Sequence, residues 1–329
     1  METGGKGKPK ILVVGSFVMD QIATTNVLPK QGQSVLGKTF RKAPGGKGAN
    51  QAVQAARLGS DVTLIGKIGD DSNGSEMLAV CQAAGINTDY VICEKGASSG
   101  CAIILLEELP DGSTQNRILV IPGTNMSISL SELQGVKDII ADFDMVMLQL
   151  EIPMEINLHI AKIAAEHNIP IMLNPAPFTN IPDELYSYIS YISPNETELE
   201  DLTGIHIEHR NEFCDLEAAQ RAATILHDRG IKNVLITLGS AGAVLLNENG
   251  FFICPGVSSV KAVDPTAAGD SFIAAFCTAI CCGTDVYGAL NFANHTAAIT
   301  VSRIGAMPSL PTYEEVTRGK DGDSLPKLF

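Results

Sequence analysis

The sequence predicts an α/β protein: a three-layer α/β/α sandwich with a mostly parallel central sheet and a small β-sheet projecting from it as a lid. Three observations carry this. Short β-branched runs alternate with helix-length amphipathic stretches, which demands right-handed crossovers and a sheet covered on both faces. One region, 98–125, abandons that alternation for two extended runs around a turn. The chain's 329 residues, 45% of them hydrophobic, are enough to bury the core of one large domain.

Taken in order, residues 1–9 lack any apolar run and read as a disordered arm ahead of a domain spanning 10–312. The first strand covers 10–15, and Asp20 falls just past its carboxyl end. There a side chain can face a ligand crevice or simply cap a turn. An extended run at 34–40 leads into the glycine-rich GGKGAN of 45–50, then a helix over 48–58, a strand over 62–66 and a helix over 74–84. Runs at 100–106 and 116–121 flank the turn-rich 107–114, a hairpin that with 34–40 forms a lid built from about 34–42 and 98–125. Such a sheet buries little alone, so it should cover the crevice, form a dimer surface, or both. Strands over 144–150, 169–173, 188–192 and 234–237 alternate with helices over 154–167 and 215–229. A small-residue helix follows at 271–282, and 313–329 is left as a C-terminal tail.

A net charge of -14 and a pI near 4.8 argue against nucleic-acid or anionic-membrane partners. An anionic ligand must then be gripped locally, by backbone donors, a metal ion and one or two cations. The 8 cysteines form no C-x-x-C pair and read as small core residues of a reducing compartment, and His206 and His209 read as loop residues. With no signal peptide or membrane-length apolar run, the expected location is the cytoplasm, the nucleus remaining open.

The segment DPTAAGD at 264–270 delivers Asp270 to the start of the small-residue helix. Ala267, Ala268 and Gly269 leave backbone N–H groups open as an anion cradle. Beside a bound phosphoryl group a carboxylate is unfavourable unless it takes a proton from an attacking hydroxyl. The competing reading is an acidic residue favoured by the helix dipole. GGKGAN is not a Walker A loop, whose spacing the chain lacks. Its glycines can let backbone lie against a ligand, or form a plain tight turn. Asp20, Glu151 after the strand over 144–150 and the Asn50 amide suit a neutral polyhydroxylated ligand such as a sugar. Asn195 and Glu198 can hold Mg²⁺ through waters or close a capping box, or do both. The TLGSAG of 237–242 is a turn against which a nucleotide can lie. It is not G-x-G-x-x-G, so hydride transfer is unsupported.

In this order the segments resemble the carbohydrate kinase family related to phosphofructokinase B, in its ribokinase subfamily, from about Lys10 to Pro311. GGKGAN and DPTAAGD carry the resemblance, joined by NPAP at 174–177 and SPNETE at 193–198. It implies the ribokinase-like fold and ATP-dependent phosphorylation of D-ribose at O5, with Asp270 as general base. Asp20, Gly46, Lys47, Gly48, Ala49, Asn50, Glu151 and Asp270 would hold the sugar. Asn195, Thr237, Leu238, Gly239, Ser240, Ala241, Gly242, Ala268, Gly269 and Asn294 would surround ATP. Asn195 and Glu198 would position Mg²⁺ and phosphate. An activating K⁺ would contact Asp264, Thr266, Thr300, Arg303, Gly305 and Ser309, largely through backbone oxygens, and the protein would be a homodimer. Two departures stand out. Position 265 is Pro where such enzymes commonly carry Thr, and the turn at 107–110 is longer than usual. A fructose or nucleoside kinase, or a sugar or nucleotide sensor that has lost turnover, are the alternatives.

Overall fold

The computed structural model describes residues 7–109, 113–210, 213–258, 260–318 and 325–329. Most of the expected arm, the lid turn at 110–112 and residues 319–324 of the tail lie outside the described residues.

β1 (Lys10–Val14) opens the central sheet, while β2 (Val18–Thr25) and β3 (Thr39–Gly45) leave it for the lid. The chain returns through α1 (Lys47–Arg57), β4 (Asp61–Gly69), α2 (Ser72–Ala83) and β5 (Val91–Glu94). β6 (Gly100–Glu108) and β7 (Thr114–Ile121) complete the lid. A one-turn α3 (Val136–Ile139) precedes β8 (Met145–Gln149), α4 (Met154–Glu166), β9 (Ile171–Asn174), the single turn α5 (Asp183–Tyr186), β10 (Tyr191–Ile192) and α6 (Glu196–Thr203). A two-residue hairpin, β11 (His209–Arg210) and β12 (Phe213–Cys214), leads to α7 (Leu216–Asp228), β13 (Asn233–Thr237), β14 (Gly242–Asn247) and β15 (Gly250–Pro255). α8 (Ala268–Cys281), α9 (Val286–Val301) and α10 (Tyr313–Thr317) close the chain.

The 9-stranded sheet runs β15-β14-β13-β10-β9-β8-β1-β4-β5 and is parallel except at its β13-β14-β15 edge. Side-chain alternation explains the layers. In β1, Ile11 and Val13 enter a core shared with α1, α8 and α9, whereas Leu12 and Val14 enter the opposite core shared with α4, α6 and α7. Burial on both faces is why these strands read as continuous apolar runs. β1 lies between β4 and β8, so the chain leaves it in both directions. The crevice expected at such a switch point opens beyond the carboxyl ends of β1 and β8.

Several elements differ from expectation. The lid is a 4-stranded sheet, β3-β2-β6-β7, whose inner strand β2 was not anticipated because Asp20, Gln21 and Thr24 interrupt its apolar pattern. Residues 34–38 form no strand. The strand expected over 188–192 shrinks to Tyr191–Ile192, since Tyr188 and Ile189 donate back to Leu185 and Tyr186 in a turn. In the tail, the Tyr313 ring meets Phe292 at a tilt and Phe329 edge to face, and its hydroxyl accepts from the Leu328 N–H.

Candidate active site

At the crevice, α8 begins without a side-chain cap. Its N-cap residue Ala267 takes φ 61°, a left-handed conformation uncommon for a side-chain-bearing residue. The uncapped amides of Gly269 and Asp270 face a cavity of about 180 Å³ lined by Lys47, Asn195, Glu198, Thr237, Pro265 and Ala268, among others. A side chain added at Gly269 would meet nothing within 4 Å, so the cradle expected from DPTAAGD is open.

Asp270 is 7% exposed, and each of its oxygens carries one amide donor. Asn50 Nδ2 reaches Oδ2 at 2.9 Å and Gln51 Nε2 reaches Oδ1 at 3.0 Å. Both donors sit on α1, directly after the glycine loop. Lys47 stands in the same cavity. Burial alone would lower its pKa, but the carboxylates of Asp270, Glu151 and Glu198 outweigh burial and raise it. It is therefore a firmly charged cation beside the helix N-terminus.

On the lid side, Glu151 Oε2 accepts from the Lys47 N–H at 2.9 Å and from the Ser16 hydroxyl. Asp20 projects from β2 and caps nothing. Burial first, then Glu151, push its pKa up to about 6, with Arg41 of the lid pulling the other way. Asn50 Oδ1 is buried without a protein partner. An acceptor so placed is costly unless a ligand donor meets it.

In the glycine loop, Gly46 and Gly48 pack against the β1–β2 turn. A Cβ at Gly46, where φ is 94°, would lie 2.6 Å from Val18 N, and one at Gly48 2.5 Å from Ser16 N. Their absent side chains let α1 dock and carry Lys47, Asn50 and Gln51 inward. Ala49 is fully buried in the core.

Among the expected nucleotide residues, Asn195, Thr237, Ala268 and Gly269 line the cavity, and Gly239, with φ 52°, has open space beside it. Ser240 and Ala241 continue that turn, Leu238 is core and Gly242 is pressed against the backbone of 254–256. Asn294 Nδ2 donates to the Cys254 and Pro255 carbonyls at 3.2 and 3.1 Å. Since the Gly256 N–H bonds Ala241 O, Asn294 braces the turn. Sequence reasoning missed Gln51, Asn174 and Ser193 as site residues, because only the fold brings these polar side chains to one point.

Asn195 and Glu198 close a full capping box, with Asn195 Oδ1 and Glu198 Oε2 each accepting the other's N–H. Glu198 Oε1 is left to the cavity. Burial raises the Glu198 pKa. One carboxylate beside an amide is a sparse oxygen set that a hydrated divalent ion can accept. In the expected potassium loop, Asp264 Oδ1 accepts from the Thr266 N–H and hydroxyl, and Oδ2 from the Gly305 N–H at 2.8 Å. Burial opposes ionisation there, but these bonds hold the Asp264 pKa below its usual value. A fixed negative charge beside two crossing loops suits a monovalent cation, though not through every expected side chain. The Thr300 hydroxyl bonds Ser271 and Thr296, that of Ser309 bonds Ala306 O, and Arg303 pairs with Glu315. Backbone carbonyls are what these three residues can offer. Among the described residues no group of three or more His, Cys, Asp or Glu forms a metal cluster, and no helix is long and apolar enough to cross a membrane. His206 is exposed and bonded to Glu200, and the His209 side chain lies outside the described residues.

The sequence pattern of the family described as pfkB family carbohydrate kinase matches residues 8–313. The chain belongs to the pfkB family of carbohydrate kinases. It is 37% identical to a ribokinase of Haemophilus influenzae over 305 residues, 93% of this chain and 96% of that protein. It is 35% identical to a deoxyribokinase of Salmonella typhi, over 93% of this chain and 96% of that one. Among solved structures, a ribokinase of Arabidopsis thaliana complexed with ribose and ATP superposes with a TM-score of 0.85 at 32% identity, covering 94% of this chain and 98% of that one. The central sheet and lid of this carbohydrate kinase are thus those of the ribokinase fold.

Proposed function

We propose that this carbohydrate kinase transfers the γ-phosphoryl group of ATP to O5 of D-ribose, giving D-ribose 5-phosphate and ADP, with Asp270 as general base. The observation that carries the reading is Asp270 itself, a buried carboxylate held by two amides in the first turn of an uncapped helix, beside Lys47. Relatives that span almost the whole chain and bear the name ribokinase support the sugar.

In this reading ribose lies under the lid, its hydroxyls donating to Asp20, Glu151 and Asn50 Oδ1. ATP lies along the 237–241 turn with its terminal phosphate at the Gly269 and Asp270 amides. Asp270 takes the O5 proton as the O5–phosphorus bond forms and the bond from phosphorus to the ADP oxygen breaks. Lys47 and the helix amides balance the charge on the migrating group, which is most of what such transfer requires. Glu198 and Asn195 would hold Mg²⁺, which would supply positive charge for the phosphates. The loops around Asp264 and Gly305 would hold K⁺, which would stiffen the cradle. The lid exposes Leu36, Phe40, Ile103, Ile118, Leu119 and Val120, a surface suited to a second copy of the chain in a homodimer.

The deoxyribokinase among the relatives makes 2-deoxyribose the sharpest competitor. A coupled assay with ribose, 2-deoxyribose, fructose and adenosine decides. Ribose is expected to give the highest kcat/KM, and a higher value for any of the others would replace the assignment.

A further inference from the structure

Gln51 plays no part in the chemistry above, yet its side chain is fully buried at the centre of the site. Besides its bond to Asp270, its Nε2 donates to Asn174 Oδ1 at 3.3 Å, and its Oε1 accepts from Gln149 Nε2 at 2.6 Å. Outward from there, the Gln149 carbonyl accepts from Asn157 Nδ2 at 2.9 Å, and Asn174 Nδ2 donates to Ser193 O at 3.2 Å. A string of buried amides therefore crosses the carboxyl ends of β8, β9 and β10. Glu151 follows shortly after Gln149, and Asn195 shortly after Ser193.

An ionised carboxylate only accepts hydrogen bonds. Asp270 therefore forces the amino side of Gln51 toward itself, the Gln51 oxygen then faces Gln149, and Gln149 must answer with its own amino group. The base thus sets the orientation of Gln51 and Gln149, while the backbone carbonyls of Gln149 and Ser193 set those of Asn157 and Asn174, and Gln149 Oε1 and Asn157 Oδ1 are buried without a partner. With Asn50 on the other oxygen, the carboxylate plane is pinned at two points.

We propose that Gln51, backed by Gln149, is a positioning residue for phosphoryl transfer: it fixes the plane of the Asp270 carboxylate and aims it at the acceptor hydroxyl. The proposal rests on the reading of Asp270 as the base.

The test uses Gln51→Leu and Gln51→Glu in the full chain, each checked by thermal melting. Ribose affinity is read by calorimetry and kcat by coupled assay. Gln51→Leu should hold ribose within about threefold of wild type while kcat falls roughly tenfold or more. Gln51→Glu, which sets a second carboxylate against the base, should lower kcat further. If the Gln51 variants do not fold, Gln149→Met removes the backing donor without touching Asp270 and should lower kcat at unchanged ribose affinity. Unchanged kcat in a folded Gln51→Leu would overturn the proposal, as would a loss confined to ribose affinity. Asp270→Asn, assayed in parallel, separates the two readings. Near-normal turnover there removes the base and the proposal with it, whereas its loss beside an unaffected Gln51→Leu removes the proposal alone.

Discussion

Asp20 shows how this site balances stability against binding. Its carboxyl titrates near 6 instead of 3.8, chiefly because the lid buries it and Glu151 stands close. A raised acid is protonated without penalty below the unfolded value, and the folded state loses stability as pH rises through about 6. The penalty is roughly 3 kcal/mol at most above that point. Asp20→Asn should therefore raise Tm at pH 8, leave it unchanged below pH 4, and weaken ribose binding. Calorimetric melts at the two pH values check the first part, and titration with ribose the second. In wild type, ribose affinity should fall as pH drops below about 6, because a protonated Asp20 no longer offers both oxygens. The sequence made Asp20, Glu151 and Asp270 visible by their places after strands or at a helix start. Gln51 was not visible, because an amide inside an alanine-rich helix looks like any polar surface position until the fold turns it toward Asp270.

Among the elements, glycines of two kinds surround the cleft and make opposite predictions. Gly48 is closed in by the Ser16 and Gly15 backbone, while Gly269 has open space. Gly48→Ala should cost about 1–3 kcal/mol of stability, seen as a lower Tm, because backbone has to move to make room. Gly269→Ala should leave Tm unchanged or slightly higher, replacing a helical glycine, but raise KM for ATP by crowding the cradle. The sequence placed both glycine loops at the crevice without distinguishing them, since what a missing Cβ avoids is a neighbour distant in the chain. The cation loop belongs at the same scale. Asp264 ties 264–266 to Gly305, so potassium should raise turnover or ATP affinity, and equal activity in potassium-free buffer would contradict that.

At the scale of the molecule, the lid is tied to the sandwich at several points. Asn125 accepts from the Phe17 N–H and donates to the Phe17 carbonyl, and Asp71 accepts from both the backbone and hydroxyl of Ser99. Lys67, only 5% exposed, bonds Glu94, Glu132 and the Ser127 carbonyl where the chain leaves the lid. β7 is exposed along nearly its whole length. A homodimer should bury it, and Leu119→Glu should shift the mass found by light scattering from dimer to monomer. The sandwich was legible because parallel strands covered on both faces announce themselves as apolar runs. The lid's inner strand was not, because its parallel partner β6 lies far off in sequence and β2 trades apolar residues for polar ones. In the proposed function these parts converge on proton removal by Asp270. The most direct measurement is Asp270→Asn, with ribose affinity by calorimetry and turnover by coupled assay. The account predicts ribose binding within a few fold of wild type and a loss of about 10²–10⁴ in kcat. Turnover close to wild type would contradict it.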